Sequence, residues 1–316
     1  MKKNSRTLVK IFMIVATCIL MSFSLFACNC AGCDSCKGCA GCNEEYEYVE
    51  YGTYAQSLKA EDVTVSDTPD ENGYYTGSDN AKYVKVTANP FTSGYTFSTN
   101  KKAVGGATVE QGSTYYFKVE PIKWRVIAKN DDNMLLVCDT IIDTFNYCDC
   151  SDTTQKALLD KDSNSHLDTN NYKESEIREW LNGTFLQKAF SSEEIAGIHT
   201  VTVENGISST ENYATGENVF VCEDTEDKVY LLSYVEVYSS DIIKLGNRNR
   251  NLSDYARAVG CRMDDLGAGA WWLRSPSNVG DNKVCIVGAN GVEGFEFVST
   301  SGVGVVPVIQ ISNTDK

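Results

Sequence analysis

Histidine is nearly missing from this chain. His166 and His199 are the two among 316 residues, and they lie far apart in sequence. HExxH, G-x-S-x-G, Walker and G-x-G-x-x-G patterns are all missing, so the sequence marks of zinc proteases, serine hydrolases, P-loop enzymes and dinucleotide-binding folds are not here. Positive charge is also scarce: 28 lysines and arginines face 43 acidic residues, a net charge of −15. Such a surface repels nucleic acid and anionic head groups, which excludes nucleic-acid binding. It favours divalent cations and basic partners, although solubility alone accounts for much acidity. No internal repeat is visible. A spatially assembled nucleophile–base pair such as Cys222 with His199 is the remaining catalytic option. Cys222 follows the apolar Val219-Phe220-Val221, which reads as a buried, inert thiol. No catalysis is expected.

What the chain does have begins at its N-terminus. Lys2, Lys3, Arg6 and Lys10 precede an apolar run over residues 11–27, as in an export signal. Leu25-Phe26-Ala27-Cys28 resembles the lipobox of bacterial lipoproteins, in which Cys28 takes a diacylglyceryl anchor. The alternative is an uncleaved anchor helix. Either places the remainder outside the cytoplasm, on the extracellular face of the membrane. Loss of residues 1–27 removes four basic groups and no acid, leaving 24 against 43 and a net charge of −19.

Cysteine is plentiful, 13 in all. Cys28, Cys30, Cys33, Cys36, Cys39 and Cys42 crowd residues 28–43 among small and polar residues, which reads as a flexible, redox-sensitive tether. The C-x-x-C spacing of Cys30, Cys33, Cys36, Cys39 and Cys42 also suits a soft metal, and interchain disulfides are a third option. The downstream Cys138, Cys148, Cys150, Cys222, Cys261 and Cys285 are compatible with disulfides or with a core of free thiols. One further metal pattern is present. Asp160, Asp162, Asn164 and Asp168 place oxygen donors at spaced positions like a calcium loop, but Ser165 replaces the turn glycine and Asn171 the closing glutamate. A solvated loop is the default there, so no cofactor is required and calcium is the one to test.

From residue 44 onward the pattern is that of one α+β domain ending at 316. The alternation Glu45-Tyr46-Glu47-Tyr48-Val49-Glu50-Tyr51 predicts a first strand, closed by Gly52-Thr53-Tyr54. Residues 59–112 read as a β-rich insertion of hairpins and loops. Strands are expected over 115–119 and 123–128, separated by Pro121, with 134–139 following a polar turn. Ile177, Trp180, Leu181 and Phe185 lie on one helical face, interrupted at Asn182-Gly183. Ser191 with Glu194 predicts a capping box, and Ser253 predicts a cap for a short helix over 253–259. Strands are also expected over 201–204, 228–232, 270–274, 283–287, 292–298 and 303–311, with Asn290-Gly291 marking a tight hairpin.

Tyr51-Gly52-Thr53-Tyr54, the block over residues 120–126, Ser175-Glu176-Ile177-Arg178-Glu179-Trp180-Leu181-Asn182, the block over 227–233, Asp254-Tyr255-Ala256 and Trp271-Trp272-Leu273-Arg274-Ser275-Pro276 occur in order. In series they resemble the domain of unknown function 6273 family, found in exported bacterial proteins, over about residues 50 to 312. The C-terminal half is also similar to C-type-lectin-like domains, with a tryptophan strand, a hairpin turning at Gly291 and a closing strand. Val306 stands where that pattern has arginine. The resemblance implies a lectin-like mixed or antiparallel sheet core with a few short helices, a scaffold that hosts many functions. It also includes an enzyme class with paired reactive cysteines, but neither Cys261 nor Cys285 lies in that class's sequence context.

Side chains alternate along a strand, so Trp271 and Trp272 point to opposite faces. They serve either as core or as a stacking platform; Arg274 serves either as a structural ion pair or as a ligand clamp. The expected ligand surface is the rim of the C-terminal hairpin: Trp271, Arg274, Asn278, Asp281, Asn282, Asn290, Glu293 and Glu296. Its expected partner is a cell-envelope or host glycan or protein, bound without chemistry. The rival reading is a cysteine-dependent enzyme or a redox or metal-binding surface protein.

Overall fold

Strand residues dominate, and the first five strands explain why. They are β1 (Tyr48–Leu58), β2 (Tyr75–Thr76), β3 (Lys82–Thr87), β4 (Thr114–Lys129) and β5 (Asn133–Cys138). The computed structural model describes residues 46–92, 95, 108–149, 169–240, 243 and 245–313. The signal, Cys28, the tether cysteines, Cys150 and the calcium loop Asp160, Asp162, Asn164 and Asp168 lie outside the described residues. The described chain belongs to one compact unit, Glu45–Lys316.

β1 runs antiparallel to β4 and does not stop at Gly52. The glycine takes φ +68° in a bulge, where the pairing slips between Glu50 and Thr53. A β-carbon there would lie 2.4 Å from the Phe190 ring, so only glycine lets the strand pass this close. Pro121 likewise fails to divide β4. On one edge of β4 it falls between the part paired to β3 (up to Lys118) and the part paired to β5 (from Trp124), and on the other edge it pairs with Thr53 beside the β1 bulge. β3 pairs with β4 over five residues. Residues 75–87 therefore extend the principal sheet.

After β6 (Asp143–Thr144), Ser175 caps α1 (Glu176–Trp180) by accepting from Arg178 N at 3.3 Å. The helix is not broken at Asn182-Gly183. It widens into a π turn, Leu181–Phe185, and continues as α2 (Leu186–Ala189). α3 (Ser192–Gly197) starts with the expected Ser191–Glu194 capping box, and Glu194 also accepts the Gly52 N–H at 3.0 Å.

The remaining elements are short: β7 (Val201–Val203), β8 (Thr225–Asp227), β9 (Val229–Tyr230), α4 (Tyr234–Tyr238), β10 (Arg250–Asn251), α5 (Asp254–Ala258) with its Ser253 cap, and β11 (Ala268–Gly269). The last five strands are β12 (Trp271–Pro276), β13 (Lys283–Val287), β14 (Glu293–Phe297), β15 (Gly304–Val305) and β16 (Val308–Ser312).

Two larger sheets result. One has the order β2-β3-β4-β5-β16-β9, with β1 added on β4; the other has the order β14-β13-β12-β15-β6. The closing segment, expected as one strand, is split between them at Val306-Pro307. Pro307 lacks a donor, and its carbonyl accepts from Cys138 N at 2.9 Å while the chain changes sheets. Val306 is fully buried.

Candidate functional site

The tryptophan pair is core on both sides. Trp271 and Trp272 are each 0% exposed, because their sheet is covered on both faces. Their indole N–H groups donate to Arg248 O at 3.1 Å and Phe145 O at 2.9 Å, which satisfies the single polar atom each carries. Trp271 is therefore withdrawn from the ligand surface.

Arg274 is withdrawn from the rim as well. Its guanidinium turns inward, donating to Glu236 at 2.5 and 3.1 Å, to Leu231 O at 2.8 Å and to Glu204 O at 3.2 Å. Burial alone would raise the Glu236 carboxyl, but the Arg274 charge outweighs it and holds the group below its ordinary value. Glu236 also closes the Ser233 capping box of α4, so the ion pair ties that helix to β12. A cavity of about 290 Å3 lies over the pair, lined also by Ser208, Tyr230 and Thr202. Ser275 completes the knot by donating to Ser209 O at 2.7 Å and accepting from Tyr234 N at 2.9 Å.

The other predicted rim residues do reach solvent. Asn278, Asp281, Asn282, Asn290 and Glu293 are exposed, and Glu296 is half-buried against Arg262 at 3.5 Å. They do not converge. Asn278, Asp281 and Asn282 precede β13, whereas Asn290 and Glu293 lie at its far end, about 17 Å away at strand rise. Asn290 is occupied in its turn, accepting from Val292 N at 3.1 Å. The sequence reading missed Phe295 and Phe297, which are 46% and 50% exposed on β14.

A larger cleft lies elsewhere, about 700 Å3, where four connections and the start of α1 meet. Asn89 and Phe91 follow β3, Gln111 precedes β4, and Phe145 and Asn146 follow β6; Glu176 opens α1, while Gly260 and Gly302 form part of the wall. Two glycines make the wall possible. Gly302 has φ +82°, and a β-carbon on it would lie 2.6 Å from the Phe91 ring. Gly260 has φ +114° and would press a β-carbon to 3.1 Å from Asn89 O. Phe91 is thereby held against the turn yet 43% exposed, with Arg262 over its ring at 5.8 Å. Phe145 is fixed from behind by stacking on Trp180 at 5.0 Å. Gln111 donates to Asn89 Oδ1 at 3.5 Å, and among the described residues nothing engages the Asn146 amide.

Directly behind Thr144 in this wall sits Asp143, buried and without an ion-pair partner among the described residues. It accepts from Tyr54 Oη at 2.6 Å and from Thr144 N at 2.7 Å. Burial dominates these bonds and pushes its carboxyl up to about 6. A third opening, about 580 Å3, is lined largely by charged residues, among them the ion pair of Arg178 with Asp227 at 2.8 Å.

Residues 131–312 match the family model described as Domain of unknown function (DUF6273). The chain belongs to that family. No curated protein and no solved structure matches it. The matched DUF6273 region begins after β4, although β4 carries half of the principal sheet and the cleft draws Asn89, Phe91 and Gln111 from before it.

The five described cysteines of this DUF6273 protein are all free thiols, four of them buried. Burial pushes Cys138 up to about 11 and raises Cys222, Cys261 and Cys285 too, the opposite of an activated thiolate. His199 lies on the principal sheet, its Nε2 3.0 Å from Ser312 Oγ. Among the described residues no group of three or more His, Cys, Asp or Glu is placed to hold a metal ion, and no helix is long and apolar enough to cross a membrane.

Proposed function

We propose that this protein is an exported lipoprotein, anchored through Cys28 to the outer face of the cell membrane, whose lectin-like domain binds a saccharide of the cell envelope or of a host. The observation that carries the reading is the cleft of about 700 Å3 in which Phe91 and Phe145 offer ring surface beside the amides of Asn89, Gln111 and Asn146. Pyranose rings present apolar C–H faces and vicinal hydroxyls, and an aromatic surface next to side-chain amides matches both. Glu176 adds an acceptor for hydroxyl donors, although it already takes Asp149 N at 2.8 Å. The raised thiols of the described cysteines Cys138, Cys222, Cys261 and Cys285 favour recognition over cysteine-dependent catalysis.

The test is a glycan array probed with the full-length protein, with and without calcium so that the Asp160–Asp168 loop is tried at the same time. Saturable binding that falls about tenfold in Asn146→Ala and in Phe91→Ala, with unchanged unfolding midpoints, is the expected result. Binding indifferent to both substitutions, or confined to no glycan at all, rejects the cleft. Retention of the protein in membranes should require Cys28, so Cys28→Ala should shed it or leave it unlipidated in a labelled-palmitate experiment.

A further inference from the structure

The outer strand of the second sheet has a free hydrogen-bonding edge. Val298 N donates to Asn282 O at 3.0 Å and Gly288 N donates to Val292 O at 2.7 Å, one bond at each end of the β13–β14 ladder. Between them the strands pair one to one from Lys283↔Phe297 to Val287↔Glu293. Antiparallel alternation then gives the inward bonds to Val284↔Glu296 and Ile286↔Gly294. The N–H and C=O groups of Glu293, Phe295 and Phe297 therefore point away from β13. Phe297 O is taken by Thr300 N at 2.8 Å; among the described residues β14 has no strand on its outer side.

An edge of this kind is ordinarily protected by proline, lysine or a cover. β14 instead presents Phe295 and Phe297 at alternate positions, half exposed, with the Lys283 ammonium over their rings at 4.8 and 5.1 Å. Glu293, bonded to the Tyr234 hydroxyl, flanks one end and Asp281 the other. We propose that β14 is a docking edge for an extended, basic polypeptide segment, which joins the sheet as a sixth strand through its backbone and packs apolar side chains on Phe295 and Phe297. Charge selects this occupant over a second copy of the chain, since each copy carries −15 and would bring its own Glu293 to the edge. The proposal is independent of the saccharide cleft.

The experiment measures fluorescence anisotropy of a labelled peptide alternating valine and lysine, about eight residues long, titrated with full-length protein. Its comparators are the valine–glutamate peptide and the valine–lysine peptide N-methylated on alternate amides. Expected is saturable binding of the first peptide alone, weakened about tenfold by Phe295→Pro, which removes an outward N–H without touching a β13 bond, and by Phe295→Lys with Phe297→Lys. Circular dichroism melts confirm that the variants fold, and glycan binding in the cleft should not change. Equal binding of the N-methylated peptide would reduce the contact to bulk charge and overturn the proposal. So would no peptide binding, or a dimer in sedimentation that Phe295→Lys dissolves.

Discussion

β12 and β14 lie two strands apart in one sheet and treat their side chains in opposite ways. Every residue of Trp271–Pro276 is buried, and its polar atoms are spent on Glu236, Ser209, Arg248 and Phe145. Glu293–Phe297 alternates exposed and half-buried, and among the described residues its outward backbone pairs with no strand. The more conspicuous motif is thus a structural knot, whereas the plainer strand is the one able to meet a partner. A rare residue combination reports a demanding environment, and a packed interior junction is as demanding as a binding site.

The contrast can be broken most forcefully at β12. Trp272→Ala should cost about 4 kcal/mol in chemical denaturation, from lost burial and an unfilled cavity. A loss below 1 kcal/mol would mean the segment is not the knot described. Arg274→Ala comes next, at about 3 kcal/mol, because it leaves Glu236 without its counter-charge and the Leu231 carbonyl without the guanidinium donor; the quarter exposure of Glu236 keeps the figure at the lower end for a broken buried pair.

Asp143 supplies a comparable but pH-dependent effect. Its folded value of about 6 lies above the ordinary 3.8, so its contribution is fully present below pH ~4 and is lost as pH rises through about 6. Two units correspond to about 3 kcal/mol. The stability of the wild type relative to Asp143→Asn should therefore fall by roughly that amount between pH 4 and 6 and then level off. A difference that stays flat across this range would remove the buried acid from behind the cleft wall. The smallest effect belongs to β14: Phe295→Ser and Phe297→Ser should each change stability by less than about 0.5 kcal/mol, since both rings are already half in water. Larger losses would make them core residues and erase the contrast with β12.

Local chemistry was legible where it acts locally. The Ser191–Glu194 box, the Ser253 cap, the Asn290-Gly291 hairpin and the strand over 283–287 are where residue types and spacing place them. Misreadings occurred where a breaker was absorbed by its surroundings. Gly52 became a bulge beside Phe190, Pro121 fell between two ladders on one edge of β4, and Gly183 was taken into a π turn. Of the predicted ligand surface, the exposed polar residues were readable from turn composition, while Trp271 and Arg274 were not, because whether a strand's second face is covered depends on other strands. The cleft was invisible: Asn89, Gln111, Asn146 and Glu176 are ordinary surface residues until the fold gathers them.

By itself the sequence determined the net negative charge, the alternation that makes strands, and the caps and hairpin turns, since each depends on neighbours a few residues away. Only the tertiary structure decided that both tryptophans are interior, that Pro307 passes the closing segment from one sheet to the other, and which strand is left at an edge. Those outcomes depend on which separate segments the fold brings together, and no local spacing encodes which of them will be covered.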